Sequence, residues 1–204
     1  MTHTTTIRNW WDNEAFADTR YATLSWGGDG NLDTVGPTID GILANLAAFM
    51  MEDSTVVEIG CGPGRLLHRM ARQHLTSTFI GIDISEQMMS LGVDDRPSNV
   101  MTKLAAGDGT IDDIEADLVY SVEVFQHLDA EVKQNYLRSI ANILKPNGVA
   151  VVQYVTGAES DGWMAHPETE AAMAKMVKAA GLKMRRAKVN FQIHDEWRWL
   201  VMSR

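Results

Sequence analysis

The chain has 204 residues, 45% of them hydrophobic and 22% charged, a size and composition that suit one globular domain with a substantial core. Its net charge of −9 disfavours nucleic acid as a partner, because nucleic acids are bound by basic surfaces that displace counterions. No apolar run approaches the roughly 20 residues that span a bilayer. The first residues, Met1 to Thr6, carry no apolar leader, and the single cysteine, Cys61, excludes an intramolecular disulfide; the expectation is a cytoplasmic protein.

Residues 1–26 hold three of the six tryptophans, Trp10, Trp11 and Trp26, together with Phe16 and Tyr21. The glycine-rich stretch 26–31 reads as a loop. Thr38 to Met50 has apolar residues at helical spacing. Residues 1–50 are therefore expected to form a helical lid or cap that belongs to the same domain as a core over 51–204.

From residue 54 strands and helices alternate. Ser54 to Ile59 is short and β-branched, as in a strand buried on both faces. Arg65 to His74 places Leu66, Leu67, Met70 and Ala71 on one helical face. Thr78 to Asp83 is the second strand, and Ser85 is suited to cap a helix over 86–92. A weaker strand runs near Val100 to Ala105, and Asp117 to Val122 is the fourth. Asp129 is placed to cap a long helix, Ala130 to Leu144, ended by the turn Lys145-Pro146-Asn147-Gly148. Val149 to Val155 is a nearly all-apolar strand. A helix from Glu168 to Ala180 stops at Gly181. Two last strands, near 182–191 and 196–203, would pair as a hairpin through His194-Asp195. The basic run Lys183 to Lys188 reads as a solvated edge strand. This pattern predicts an α/β domain: a single Rossmann-like, seven-stranded, mostly parallel sheet, its last strand antiparallel, with helices on both faces.

In such a sheet ligands bind at the carboxyl ends of the strands. Four features fall there. The first is Glu58-Ile59-Gly60-Cys61-Gly62-Pro63-Gly64, where glycines permit a sharp turn ahead of a helix N-terminus. A dinucleotide loop would need a glycine at the position of Arg65, so a nicotinamide or flavin cofactor is disfavoured. A carboxylate at Glu58 suits a cationic group better than a pyrophosphate. The second is Asp83, with Ile84 beside it; a carboxylate ending the second strand can accept both hydroxyls of a ribose, or serve as a helix cap with Ser85. The third, Gly107-Asp108-Gly109, fits either an adenine contact or a plain turn. The fourth is the segment Ser121 to Leu128, in which Glu123 and His127 are expected to face the cleft. Histidine exchanges protons near neutral pH, though a lone one serves equally well as a structural residue.

The stretch Val56 to Gly64 resembles the first motif of the class I S-adenosylmethionine-dependent methyltransferases. Ile82-Asp83 resembles that family's ribose-binding position and Gly107-Asp108 its adenine-binding position, while Asp117 to Val122 and Leu144 to Gly148 resemble its later motifs. The match covers about residues 54–155. The resemblance implies that Glu58, Gly60, Cys61, Gly62 and Gly64 hold the methionine part of S-adenosylmethionine. Ser121 would join them through its backbone carbonyl, with Asp83, Ile84, Asp108 and Gly109 taking the adenosine. Cys61 is common at its place in the family and is expected to be structural.

For the acceptor, His127 is the expected base and Glu123 the second candidate. Trp10, Trp11, Tyr21, Trp26, Tyr154 and Trp163 are expected to shape a pocket for a small molecule methylated on a hydroxyl oxygen. Segment 156–167 is a further lid candidate. The six histidines show no metal-ligand spacing, so no metal is expected. Three alternatives stay open: methylation of a protein, glycan or lipid end group, a non-methylating enzymatic use of the cofactor, and a non-catalytic module that binds S-adenosylmethionine.

Overall fold

The computed structural model describes residues 3–17, 36–92, 94, 96–157, 166–186 and 196–204. Strand β1 (Thr55–Ile59) sits at the middle of the sheet, and all its residues but Thr55 are buried. It pairs in parallel with β2 (Thr78–Asp83) on one side and with β4 (Ala116–Ser121) on the other. Strand β3 (Val100–Leu104) extends the sheet past β2, and β5 (Leu144–Val155) extends it past β4, both in parallel. Strand β7 (Trp197–Ser203) then pairs antiparallel with β5, and the two-residue β6 (Lys183–Met184) lies outside it. The order β3-β2-β1-β4-β5-β7-β6 gives the seven-stranded, mostly parallel sheet that the alternation predicts. The chain moves outward from β1 to β3 and returns to the other side of β1 at β4. The crevice of such a switch point opens between the carboxyl ends of β1 and β4.

Side-chain alternation divides the core between the two faces. Val56, Leu118, Tyr120, Val149 and Val151 pack against α2 (Gly36–Ala47) and α3 (Arg65–Gln73), through Ile42, Leu46, Leu67 and Met70. Val57, Val119, Ala150, Val152 and Tyr154 face α5 (Ala130–Ile143) and α6 (Glu170–Ala179), through Leu137, Ile140, Met173 and Val177. Both predicted caps form: Ser85 Oγ accepts from Met88 N ahead of the short α4 (Glu86–Ser90), and Asp129 Oδ1 accepts from Val132 N.

Three elements differ from the sequence reading. Helix α2 is chiefly a body helix, with Ile39, Ile42, Leu43 and Leu46 buried against the sheet, and it reaches the cleft through Ile39. Among the described residues, α1 (His3–Ala17) stands where a lid would, with Ile7 and Trp11 on the cavity lining. The turn Lys145 to Gly148 lies inside β5: Ala116 pairs with Leu144 and Leu118 with Val149, so the four residues bulge from the ladder. Asp117 holds the bulge, its Oδ2 2.7 Å from Lys145 Nζ and accepting Thr55 N at 2.8 Å. Helix α6 begins at Glu170, because Thr169 Oγ1 caps Ala172 N and Glu168 is drawn to Lys133. Residues 187–195, including the expected hairpin turn, lie outside the described residues.

Candidate active site

The loop after β1 turns through left-handed backbone, with φ +76° at Gly60 and +84° at Gly64. A Cβ on Gly60 would lie 2.0 Å from Val124 Cγ2, and one on Gly64 would lie 2.4 Å from His68 Nε2. Only glycine meets both demands. The loop is anchored to the end of β2. Gly60 N donates to Ile82 O at 2.7 Å, and Gly62 N donates to Asp83 Oδ2 at 2.7 Å. Asp83 Oδ1 accepts Ser85 N at 2.9 Å. Burial pushes the Asp83 carboxyl above its ordinary range, against the pull of the N–H groups of Ser85 and Gly62. Each oxygen keeps lone pairs for a further donor.

Glu58 is 4% exposed and accepts the Tyr120 hydroxyl at 3.0 Å. Burial pushes its carboxyl up to about 8; the Tyr120 hydrogen bond opposes this, Asp83 adds to it and Arg65 opposes it. A buried carboxylate with so little compensation favours a cationic ligand group, which would restore its charge. Arg65, the first residue of α3, lines the same cavity. Burial lowers its pKa while Glu123 and Glu58 hold it up. Cys61 is buried, its Sγ 3.7 Å from Gly62 O, and burial raises its thiol well above the ordinary range. It is a packing residue and a poor nucleophile.

The opposite wall follows β4. Glu123 has φ +59°, and its N donates to Gln153 Oε1 at 2.8 Å. A 3-10 turn, Phe125–His127, then presents His127 to the cavity. Gln126 Nε2 lies 3.3 Å from His127 Nε2, so the orientation of that amide selects which ring nitrogen carries the proton. The Trp11 ring stands 5.7 Å from the His127 ring at 76°, and Trp10 stands edge-on to Trp11 at 4.5 Å.

Trp11 is held there by α1. Arg8 Nε donates to Ile84 O at 3.2 Å, and Nη2 donates to Ala105 O at 3.0 Å and Ala106 O at 3.1 Å. Ser85 Oγ lies 2.6 Å from Asp12 Oδ1 and donates to it. The helix thus straddles the carboxyl ends of β2 and β3. Behind His127, His166 N donates to Gln126 O at 2.6 Å. The fully buried Lys133 ties down the same segment through His166 O and Glu168 Oε1.

A cavity of about 140 Å³ joins these walls. It gathers Glu58, Gly60, Cys61 and Gly62 from the glycine loop and Asp83 and Ile84 from the end of β2. It also gathers the two proposed catalytic side chains, Glu123 and His127, and one of the tryptophans, Trp11. Gly64 packs against His68. Other predicted residues take different places. Asp108 is exposed, and its Oδ1 is occupied by Thr110 N at 2.9 Å and Thr110 Oγ1 at 2.6 Å; Gly107 lines the cavity instead. Gly109 packs beneath α5, where its carbonyl accepts Ser139 Oγ at 2.8 Å. Ser121 is buried in β4 with Oγ on Ile59 O at 3.0 Å, outside the lining. Tyr154 is a core residue, because its parity on β5 turns it toward α5 and α6. Trp10 backs Trp11 from outside the lining. Tyr21, Trp26 and Trp163 lie outside the described residues. The structure adds Arg65, which lines the cavity, and Arg8, which holds α1 beside it. The signal for Arg65 was its place as the first helical residue after a loop that faces the crevice.

Residues 57–150 match the family model of a methyltransferase domain. A ubiquinone biosynthesis O-methyltransferase of Caulobacter vibrioides is 33% identical over 111 residues, 50% of this chain and 40% of that protein. The chain spans less than half the length of the curated relatives it matches. Among solved structures, a TehB-like SAM-dependent methyltransferase from Corynebacterium glutamicum superposes with a TM-score of 0.71 at 18% identity, covering 96% of this chain and 98% of that one. A magnesium protoporphyrin IX methyltransferase from Synechocystis, solved with bound SAH, also has a TM-score of 0.71, at 20% identity over 98% of this chain and 99% of that one. At these identities the two structures are likenesses of fold.

Proposed function

We propose that this chain, which belongs to the class I S-adenosylmethionine-dependent methyltransferases, transfers a methyl group to a small-molecule acceptor through a hydroxyl oxygen. The observation that carries this reading is one cavity that joins two chemically distinct sets of groups. Glu58 and Asp83 form one, and His127, Glu123 and Trp11 the other.

The residues fit the cofactor. Glu58, buried and pushed up to about 8, answers a cationic amine. Asp83, fixed by two backbone N–H groups, offers remaining lone pairs to a ribose diol. The left-handed glycine loop lets a ligand approach the backbone closely. When bound, the cofactor supplies a methyl group already activated by its sulfonium. The protein's part is to orient the acceptor, exclude water and take the hydroxyl proton. His127 is the proposed base, and Glu123, beside Arg65, is the second candidate. Trp11 walls the acceptor end with an aromatic edge.

An oxygen acceptor is supported by the name of the Caulobacter relative. A small acceptor is supported by Trp11 and His127, whose rings stand 5.7 Å apart in the cavity lining. A cytoplasmic setting belongs to the same proposal, supported by the lone, buried Cys61; among the described residues no helix is long and apolar enough to cross a membrane. The test is incubation with methyl-labelled cofactor and a metabolite extract, read by mass spectrometry. One new small O-methylated species is expected, and His127→Ala should slow its formation about 100-fold or more, as loss of a general base does. Label found only in protein, glycan or lipid would overturn the small-molecule reading. Full turnover by His127→Ala would remove the base.

A further inference from the structure

Strand β5 is buried from Val149 to Tyr154 and apolar there except for Gln153, which is itself fully buried. Its Oε1 accepts Glu123 N at 2.8 Å. A backbone N–H can only donate, so this bond fixes the amide with its oxygen toward Glu123. The amide nitrogen, Nε2, is buried and has no hydrogen-bond partner among the described residues. A leucine or methionine of similar volume would strand no such group. The amide is explained by what its oxygen holds.

Glu123 has φ +59°, a left-handed conformation that few residues other than glycine adopt and that persists only where the surroundings enforce it. Two walls of the cavity depend on that backbone. The Glu123 side chain reaches the lining, where it acts on Arg65. The next residue, Val124, sets its Cγ2 where a Cβ on Gly60 would be 2.0 Å away, closing on the glycine loop. Gln153 itself lines none of the cavity.

We propose that Gln153 is a positioning residue for methyl transfer. Its amide oxygen holds residue 123 left-handed, and so places both the Glu123 carboxylate and the Val124 wall against the glycine loop. The proposal rests on the cavity being the cofactor site.

The experiment measures S-adenosylhomocysteine affinity by calorimetry for Gln153 variants in two backgrounds, native and Glu123→Gly. Binding by the native protein checks the cofactor site separately. In the native background Gln153→Leu should weaken affinity about tenfold, the scale of one well-placed hydrogen bond. Gln153→Glu, compared with the native protein at pH 6, where a carboxyl so buried stays protonated, keeps an acceptor oxygen and should stay within about threefold of it. In the Glu123→Gly background the same Gln153→Leu change should cost less than about twofold, because glycine holds the left-handed backbone unaided. Equal losses in both backgrounds, or a loss with Gln153→Glu as large as with Gln153→Leu, would overturn the proposal. Gln153→Asn, which withdraws the oxygen but keeps the amide, replaces Gln153→Leu if the latter does not fold; native affinity in Gln153→Asn would overturn the proposal as well.

Discussion

The two ends of the cavity are built in different ways. The end at β1 and β2 is local: Glu58, Gly60, Gly62 and Asp83 come from the tips of two adjacent parallel strands and the loop between one of them and its helix. The end at His127 is assembled from distant parts of the chain. Arg8 reaches carbonyls at Ile84, Ala105 and Ala106 and so holds α1 and Trp11, and Gln126 receives His166. A site made of strand tips is set by the fold that also forms the core. A site made of long-range hydrogen bonds can change its shape while the sheet stays intact. Under the proposed function, that contrast separates a cofactor end set by the sheet from an acceptor end set by long-range contacts.

The largest expected effect is at the local end. Gly60→Ala places a Cβ 2.0 Å from Val124 Cγ2 on a backbone with φ +76°. S-adenosylhomocysteine affinity should fall by about 100-fold or more, since strain of ~1–2 kcal/mol adds to the displaced wall. Calorimetry on the folded variant checks this; near-native affinity would mean that the loop is not held as described.

Next comes Glu58→Gln. The Glu58 carboxyl has a folded-state pKa of about 8 against an ordinary 4.5. A raised carboxyl stabilises the fold fully below its unfolded value and loses that contribution as pH rises through the folded one. The ligand-free native protein should therefore lose stability between about pH 4.5 and 8 relative to Glu58→Gln. At pH 8 the variant should be the more stable, by a few kcal/mol at the scale of ~1.4 kcal/mol per pKa unit. Denaturant titrations at pH 5 and pH 8 give the comparison. Equal differences at the two pH values would contradict it.

The smallest effect is at the assembled end. Arg8→Ala removes three hydrogen bonds to backbone carbonyls and loosens α1, with Trp11 on it. The acceptor KM should rise about tenfold, while S-adenosylhomocysteine affinity changes less than about threefold. A larger change in cofactor affinity than in KM would erase the distinction between the two ends.

The same contrast governs what could be read from the sequence. Short β-branched runs, caps at Ser85 and Asp129 and glycines after β1 are local signals, and the sheet, the loop and Asp83 follow from them. Asp108 stands exposed outside the cavity lining, with its Oδ1 turned to Thr110 two residues on, a local competition that an Asp-Gly turn does not reveal. Tyr154 went astray because a strand buried on both faces carries no alternation to tell which side a residue joins. Residues 36–47 are amphipathic whether they cover a core or a cleft, and spacing alone does not tell that most of the face meets the sheet while Ile39 meets the cavity. Arg8 and Gln153 are polar residues whose partners lie 76 and 30 positions away, a distance that no periodicity carries.

The central claim is that a buried carboxylate, Glu58, waits for the cationic amine of the cofactor. Calorimetric titration with S-adenosylhomocysteine from pH 6 to pH 9 tests it most directly. Below about 8 the free protein's Glu58 is largely protonated and must lose its proton to bind. Affinity should therefore rise by up to about tenfold per pH unit toward pH 8 and level off above it, and Glu58→Gln should bind weakly with no such slope. Tight binding that is flat across this range, or identical pH profiles for the native protein and Glu58→Gln, would contradict the account.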